Sequence, residues 1–150
     1  MSHPIVVTVI CDGHRPDFVS EAMTPHMARL RQAGTWFADH RGIFPSATRA
    51  SSASIATGCW PITHGLRGNA VALPIENGHE VHDAGRPEFY EAYRNHFGRL
   101  LMRPSLSQRA AALHGAVLCS NVSPGAAFFH DAEGHGELYH RELSYRQGRV

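Results

Sequence analysis

An α/β fold, a doubly wound parallel sheet with helices on both faces, is the architecture this sequence predicts. Three observations carry it. An apolar, β-branched run opens the chain, strand and helix patterns alternate behind it, and no repeat or low-complexity stretch interrupts the alternation. Pro4 to Cys11 (Pro-Ile-Val-Val-Thr-Val-Ile-Cys) reads as the first strand, buried and parallel, ending in Asp12-Gly13. That ending delivers a carboxylate to the C-terminal edge of the sheet, where ligand sites of open α/β folds lie. Asp-Gly is also a common turn pair. Thr24 to Gly34 reads as a helix, with Thr24 as cap, Pro25 at the first position and Gly34 past the end. Thr35 to Ile43 returns as a strand.

Pro45 fixes its own φ and cannot continue a helix backwards, so Ile43 to Pro45 reads as extended chain. The small residues Ala47 to Thr57 then form a short helix stopped by Gly58. Thr57 to Asn69 is rich in turn formers and reads as a loop. Helical patterns cover Arg86 to Met102, up to Pro104, and Ser105 to Leu113, with Ser105 as cap. Gly115 to Asn121 is a further apolar strand.

Composition narrows the class. The 150 residues are 43% hydrophobic and 18% charged, with net charge +1, as in a globular protein. With no basic block, a nucleic acid polymer is not an expected partner. No run reaches the roughly 18 apolar residues of a membrane helix. Met1 to Pro4 leads straight into the first strand without a secretory leader, so a cytoplasmic protein is expected. The three cysteines, Cys11, Cys59 and Cys119, are widely spaced and read as buried reduced thiols. Twelve histidines would suit a non-catalytic metal-binding protein, but pairs such as His79 with His82 or His135 with His140 lack the carboxylate-backed spacing of a compact zinc site.

Thr48 is the residue on which chemistry concentrates. It lies at or near the start of the Ala47–Thr57 helix, where free N–H groups and the helix dipole favour an anion. On its own it reads as an ordinary N-cap. Its context is an ordered set of motifs: the strand with Asp12-Gly13, Thr24-Pro25-His26-Met27-Ala28-Arg29-Leu30 before Gly34, Phe44-Pro45-Ser46-Ala47-Thr48, Thr57-Gly58, and Pro61 to Asn69 with His64-Gly65. Asp12 lies 36 positions before Thr48, and Asn69 lies 21 after it.

In this order and spacing the chain resembles the alkaline phosphatase superfamily, in its type I phosphodiesterase/nucleotide pyrophosphatase branch. Phosphonoacetate hydrolases, which share the Pro-Ser-x-Thr segment, are close relatives of that pattern. The resemblance covers about the first half of the chain. It implies an alkaline phosphatase-like hydrolase of phosphodiester or nucleotide pyrophosphate bonds that works through a covalent threonine intermediate. A C–P bond hydrolase of the phosphonoacetate type is the alternative, and so is a catalytically incomplete fragment. Carried over by position, Asp12 corresponds to a ligand of one of two divalent metal ions, zinc by resemblance. Thr48 corresponds to the metal-bound nucleophile and Asn69 to the donor to a non-bridging phosphate oxygen. A metal lowers the pKa of a hydroxyl that is otherwise a poor nucleophile, and a neutral amide suits the charge that develops on phosphate oxygens. The substrate implied is a small phosphate ester, nucleotide or phosphonate.

Two departures are visible. Where the family often has an aromatic residue after the nucleophile, this chain has Arg49, which reads either as a bidentate phosphate clamp or as a solvated first-turn side chain. The family's further ligands are an Asp-x-x-x-His pair, an Asp-His pair and a late His. Residues 1–150 therefore read as one domain, the N-terminal part of such a hydrolase, with its sheet incomplete at the C-terminus. Asp131-Ala132-Glu133-Gly134-His135 has the spacing of the first pair. The breakers Ser123 to Ala127 ahead of it and the polar stretch Gly136 to Arg149 behind it favour a solvent loop instead.

Overall fold

The computed structural model describes residues 4–141 and the backbone of residues 144–145. The chain divides into two units, Met1–Arg41 and Gly42–Val150. In the first, Pro16–Phe18 forms a single 3-10 turn and α1 spans Pro25–Ala33 between Thr24 and Gly34, where the sequence placed it. Thr24 does not cap α1 with its side chain; its hydroxyl donates to the Phe18 carbonyl at 2.9 Å. The run Pro4 to Cys11 is extended but pairs with no strand among the described residues, and Ile5 and Val6 are 89% and 88% exposed. Thr35 to Ile43 likewise forms no ladder. Propensity alone does not make a strand. Its backbone groups need a neighbour, and neither run meets one here.

The second unit holds the core. Its elements are α2 (Thr48–Thr57), α3 (Pro61–His64), β1 (Ala70–Ile75), β2 (Gly78–Asp83), α4 (Pro87–Phe97), α5 (Leu106–Ala111), β3 (Val117–Ser120), α6 (Pro124–Phe129), β4 (Glu137–His140) and β5 (Ser144–Tyr145). β1 and β2 form an antiparallel hairpin across Glu76-Asn77, with Ala70 opposite Asp83 and Leu73 opposite Glu80. β3 pairs in parallel with β4 through the α6 crossover, and β5 adds to β4 in the antiparallel sense. The class is thus α/β, with helices and two small sheets. Among the described residues these sheets have two and three strands, not the single doubly wound sheet expected.

Local chemistry explains most boundaries. α4 stops at Phe97, short of Met102, because Gly98 turns the chain into the left-handed region with φ 77°. Ser105 does cap α5, accepting from the Gln108 N–H at 3.1 Å. The stretch after Gly136, expected to be irregular, supplies β4. The supposed loop Thr57–Asn69 contains α3 and buries Pro61, His64 and Leu66. Ala53, Leu66, Leu73, Phe89, Leu101 and Phe129 are the centre of the core. Tyr90 stacks on Phe128 at 4.0 Å between ring centroids, and burial pushes its hydroxyl up to about 12.

The cysteines differ from expectation. All three are free thiols, but Cys11 and Cys119 are exposed and Cys59 is half-buried. Cys11 is exposed for the same reason as the rest of its run, since no sheet covers it. Among the described residues, no helix is long and apolar enough to cross a membrane.

Candidate active site around Thr48

Thr48 is the first residue of α2, and the residue before it, Ala47, has the extended backbone of an N-cap without a side chain that can cap. The N–H groups of the first turn have no intrahelical acceptor, so a helix starting in this way needs one from elsewhere. Asn69 supplies it. Its Oδ1 accepts from the Arg49 N–H at 3.1 Å. The acceptor face of the carboxamide is thereby fixed against the helix, and its two N–H groups remain as donors at the same helix end. Thr48 and Asn69, 21 residues apart, are brought together at the start of α2. Phe44-Pro45 ahead of them is a cis peptide.

Arg49 is neither solvated nor extended into open solvent. Its side chain is 18% exposed, and Nη1 donates both to the Asn69 carbonyl at 3.0 Å and to Asp83 Oδ1. The Asp83 carboxylate is held in turn by the Gly85 N–H at 2.8 Å. That bond, with the Arg49 guanidinium, keeps its carboxyl below the usual carboxylate range. The guanidinium runs against two glycines. A Cβ on Gly85 would overlap Arg49 Nη2, and one on Gly125 would lie 2.8 Å from Nε and 2.7 Å from the Gly85 Cα. Asp83 had no place in the sequence reading because the hairpin that delivers it was missed. The available signal was Asn77-Gly78 just after the apolar run Ala70 to Ile75, a hairpin cue.

A second hydroxyl on α2 invites comparison with a nucleophile. Ser54 Oγ is 2.8 Å from His64 Nε2. However, His64 Nδ1 accepts from the Leu66 N–H at 3.2 Å, so a neutral ring carries its proton on Nε2 and donates it to Ser54. The ring is fully buried, which pushes its pKa down to about 4 and keeps it neutral at pH 7. An imidazole that already donates to Ser54 cannot take the serine proton. The His64-Gly65 motif therefore ties α2 to α3 and to the chain beyond, since the His64 carbonyl accepts from the Met102 N–H at 3.0 Å.

Asp12 belongs to the first unit. It sits with Gly13 in a turn closed by the His14 N–H and the Cys11 carbonyl at 3.1 Å, with Gly13 at φ 72°, and its carboxylate is exposed. The turn follows an extended run, not a paired strand. Asp131 is not on a solvent loop: it is fully buried, and its two oxygens accept from the His135 N–H at 3.0 Å and the Gly136 N–H at 2.7 Å. Glu133 accepts from the Leu100 N–H at 2.9 Å. Asp131 organises a turn and Glu133 ties it to the end of α4 and to Leu100, which the breaker-rich sequence around them concealed. No three His, Cys, Asp or Glu side chains among the described residues are grouped so as to hold a metal ion.

No solved structure matches the chain significantly. A family model does, over residues 6–142: type I phosphodiesterase / nucleotide pyrophosphatase. The match runs from the first apolar run through Asp12, Thr48 and Asn69 to β4. With nearly its whole length matched in that order, the chain belongs to the type I phosphodiesterase / nucleotide pyrophosphatase family.

Proposed function

We propose that this protein acts as a hydrolase of small phosphate esters, with the Thr48 hydroxyl as the group that accepts the phosphoryl or nucleotidyl moiety. Asn69 is the donor to a non-bridging oxygen, and Asp12 and Thr48 are ligands toward two divalent metal ions, zinc by family resemblance. The observation that carries this reading is the start of α2. A hydroxyl occupies its first position, the acceptor side of Asn69 is consumed by the helix, and the amide N–H groups are left for an anion at the positive end of the dipole. Family membership supports the reaction class. Among the described residues, no three His, Cys, Asp or Glu side chains are grouped so as to hold a metal ion.

The test is turnover of a chromogenic phosphodiester by the zinc-loaded protein, together with mass spectrometry of an acid-quenched reaction. Thr48→Ala is expected to abolish both turnover and a substrate-derived adduct on the peptide holding residue 48. Turnover by Thr48→Ala at the wild-type rate would refute the nucleophile. An adduct on Ser46 or Ser54 would reassign it.

A further inference from the structure

We propose that Asp83, acting through Arg49, is a positioning residue that fixes the Asn69 carboxamide at the nucleophile. This inference rests on the reading of Asn69 as a phosphate-oxygen donor. The bonds form a chain with a defined direction. Gly85 N–H holds Asp83 Oδ1, Asp83 Oδ1 holds Arg49 Nη1, and Arg49 Nη1 holds the Asn69 carbonyl, while the backbone N–H of the same arginine holds Asn69 Oδ1. Arg49 thus grips Asn69 from both its main chain and its side chain.

A carboxamide at an exposed helix end is free to rotate about χ2, and rotation would present oxygen instead of N–H to the phosphate. The Arg49 N–H permits only an oxygen at that point. It does so as long as the Asn69 backbone stays in place, and the Asn69 carbonyl is fixed by the Ala84 N–H at 2.8 Å as well as by Arg49. The β1–β2 hairpin provides this geometry: Asp83 is the last residue of β2 and pairs with Ala70, the neighbour of Asn69. Gly85 and Gly125 complete the device by leaving room for the guanidinium. Any side chain at either would overlap the arginine, so the pair leaves the slot in which the guanidinium lies against Asp83 and the Asn69 carbonyl. In this proposal Arg49 Nη1 serves as a support for the donor.

Two measurements test this. The first needs no turnover: the Arg49 amide has no helical acceptor, so its hydrogen exchange reports the bond to Asn69. Asp83→Ala is expected to speed exchange of this amide toward the rate seen in Asn69→Ala, while the Ala56 amide inside α2 is unchanged. Asp83→Asn keeps an acceptor oxygen and is expected to fall between. Unchanged Arg49 exchange in Asp83→Ala overturns the proposal. The second is a double-mutant cycle on kcat. Asn69→Ala is expected to cost on the order of 10²–10³-fold, and Asp83→Ala on the order of tenfold with little change in KM. Asp83→Ala should cost nothing further in the Asn69→Ala background. Additive losses would make Asp83 a merely structural residue and overturn the proposal. An Asn69→Ala protein of wild-type kcat would instead refute the donor reading itself.

Discussion

His64 shows how one buried side chain couples α2 to pH. Its ring is neutral in the folded protein, with a pKa near 4, against 6.5 for an unperturbed histidine. Between these values the unfolded chain binds a proton that the native state does not, so stability is complete above pH 6.5 and falls as pH drops toward 4. The full effect is about 3 kcal/mol, since each pKa unit is worth roughly 1.4 kcal/mol. His130, also pushed down by burial, acts in the same direction. Urea midpoints are therefore expected to fall from pH 7 to pH 5. His64→Asn should be less stable at pH 7 and show a shallower dependence over that interval. An identical pH dependence in the variant would show that His64 does not titrate there. The histidine was legible as part of a Pro61–Asn69 motif, but its proton arrangement was not, because that depends on the Leu66 N–H and on Ser54 at once.

At the level of elements, α2 was read with accurate ends, from small residues after Pro45 and a glycine stop. α1, the Ser105 cap and β3 were equally legible, since each is set by neighbours in sequence. β4 and the Arg49–Asp83 pair were not, since they depend on partners 20 and 34 residues away, while the hairpin had a local cue in Asn77-Gly78 that went unread. The start of α2 combines both kinds of signal. Ala47 is among the poorest N-cap residues, although its backbone has cap geometry, and Asn69 substitutes for a cap from a distance. A local cap should therefore stabilise the helix and release the amide. Ala47→Ser is expected to raise stability by about 1 kcal/mol, the usual value of a serine cap over alanine. It should also lower kcat, because Asn69 loses the N–H that orients it. A urea midpoint that does not rise would mean that Asn69 already satisfies the first turn as fully as a true cap. A raised midpoint with unchanged kcat would mean that the orientation of Asn69 does not depend on the Arg49 N–H.

At the level of the whole molecule, the same apolar run that reads in the sequence as a buried parallel strand is the segment the structure leaves bare. Ile5, Val6, Val7 and Val9 are each at least three-quarters exposed, and Pro4 to Ile10 contains no charge. A buried parallel strand and an exposed one have the same sequence. Only its neighbours distinguish them, and these lie outside the reach of local patterning. An uncharged β-branched segment with open backbone groups is a template for strand pairing between molecules. The 150-residue protein is expected to self-associate with rising concentration, as measured by light scattering on a size-exclusion column. Val7→Lys with Val9→Lys should suppress this, because charge on one face of the run opposes in-register stacking without touching the core around Phe89 and Leu66. If the doubly substituted chain associates as strongly as the parent, the contact lies elsewhere, and the exposed face of the hairpin at Val81 becomes the surface to substitute next.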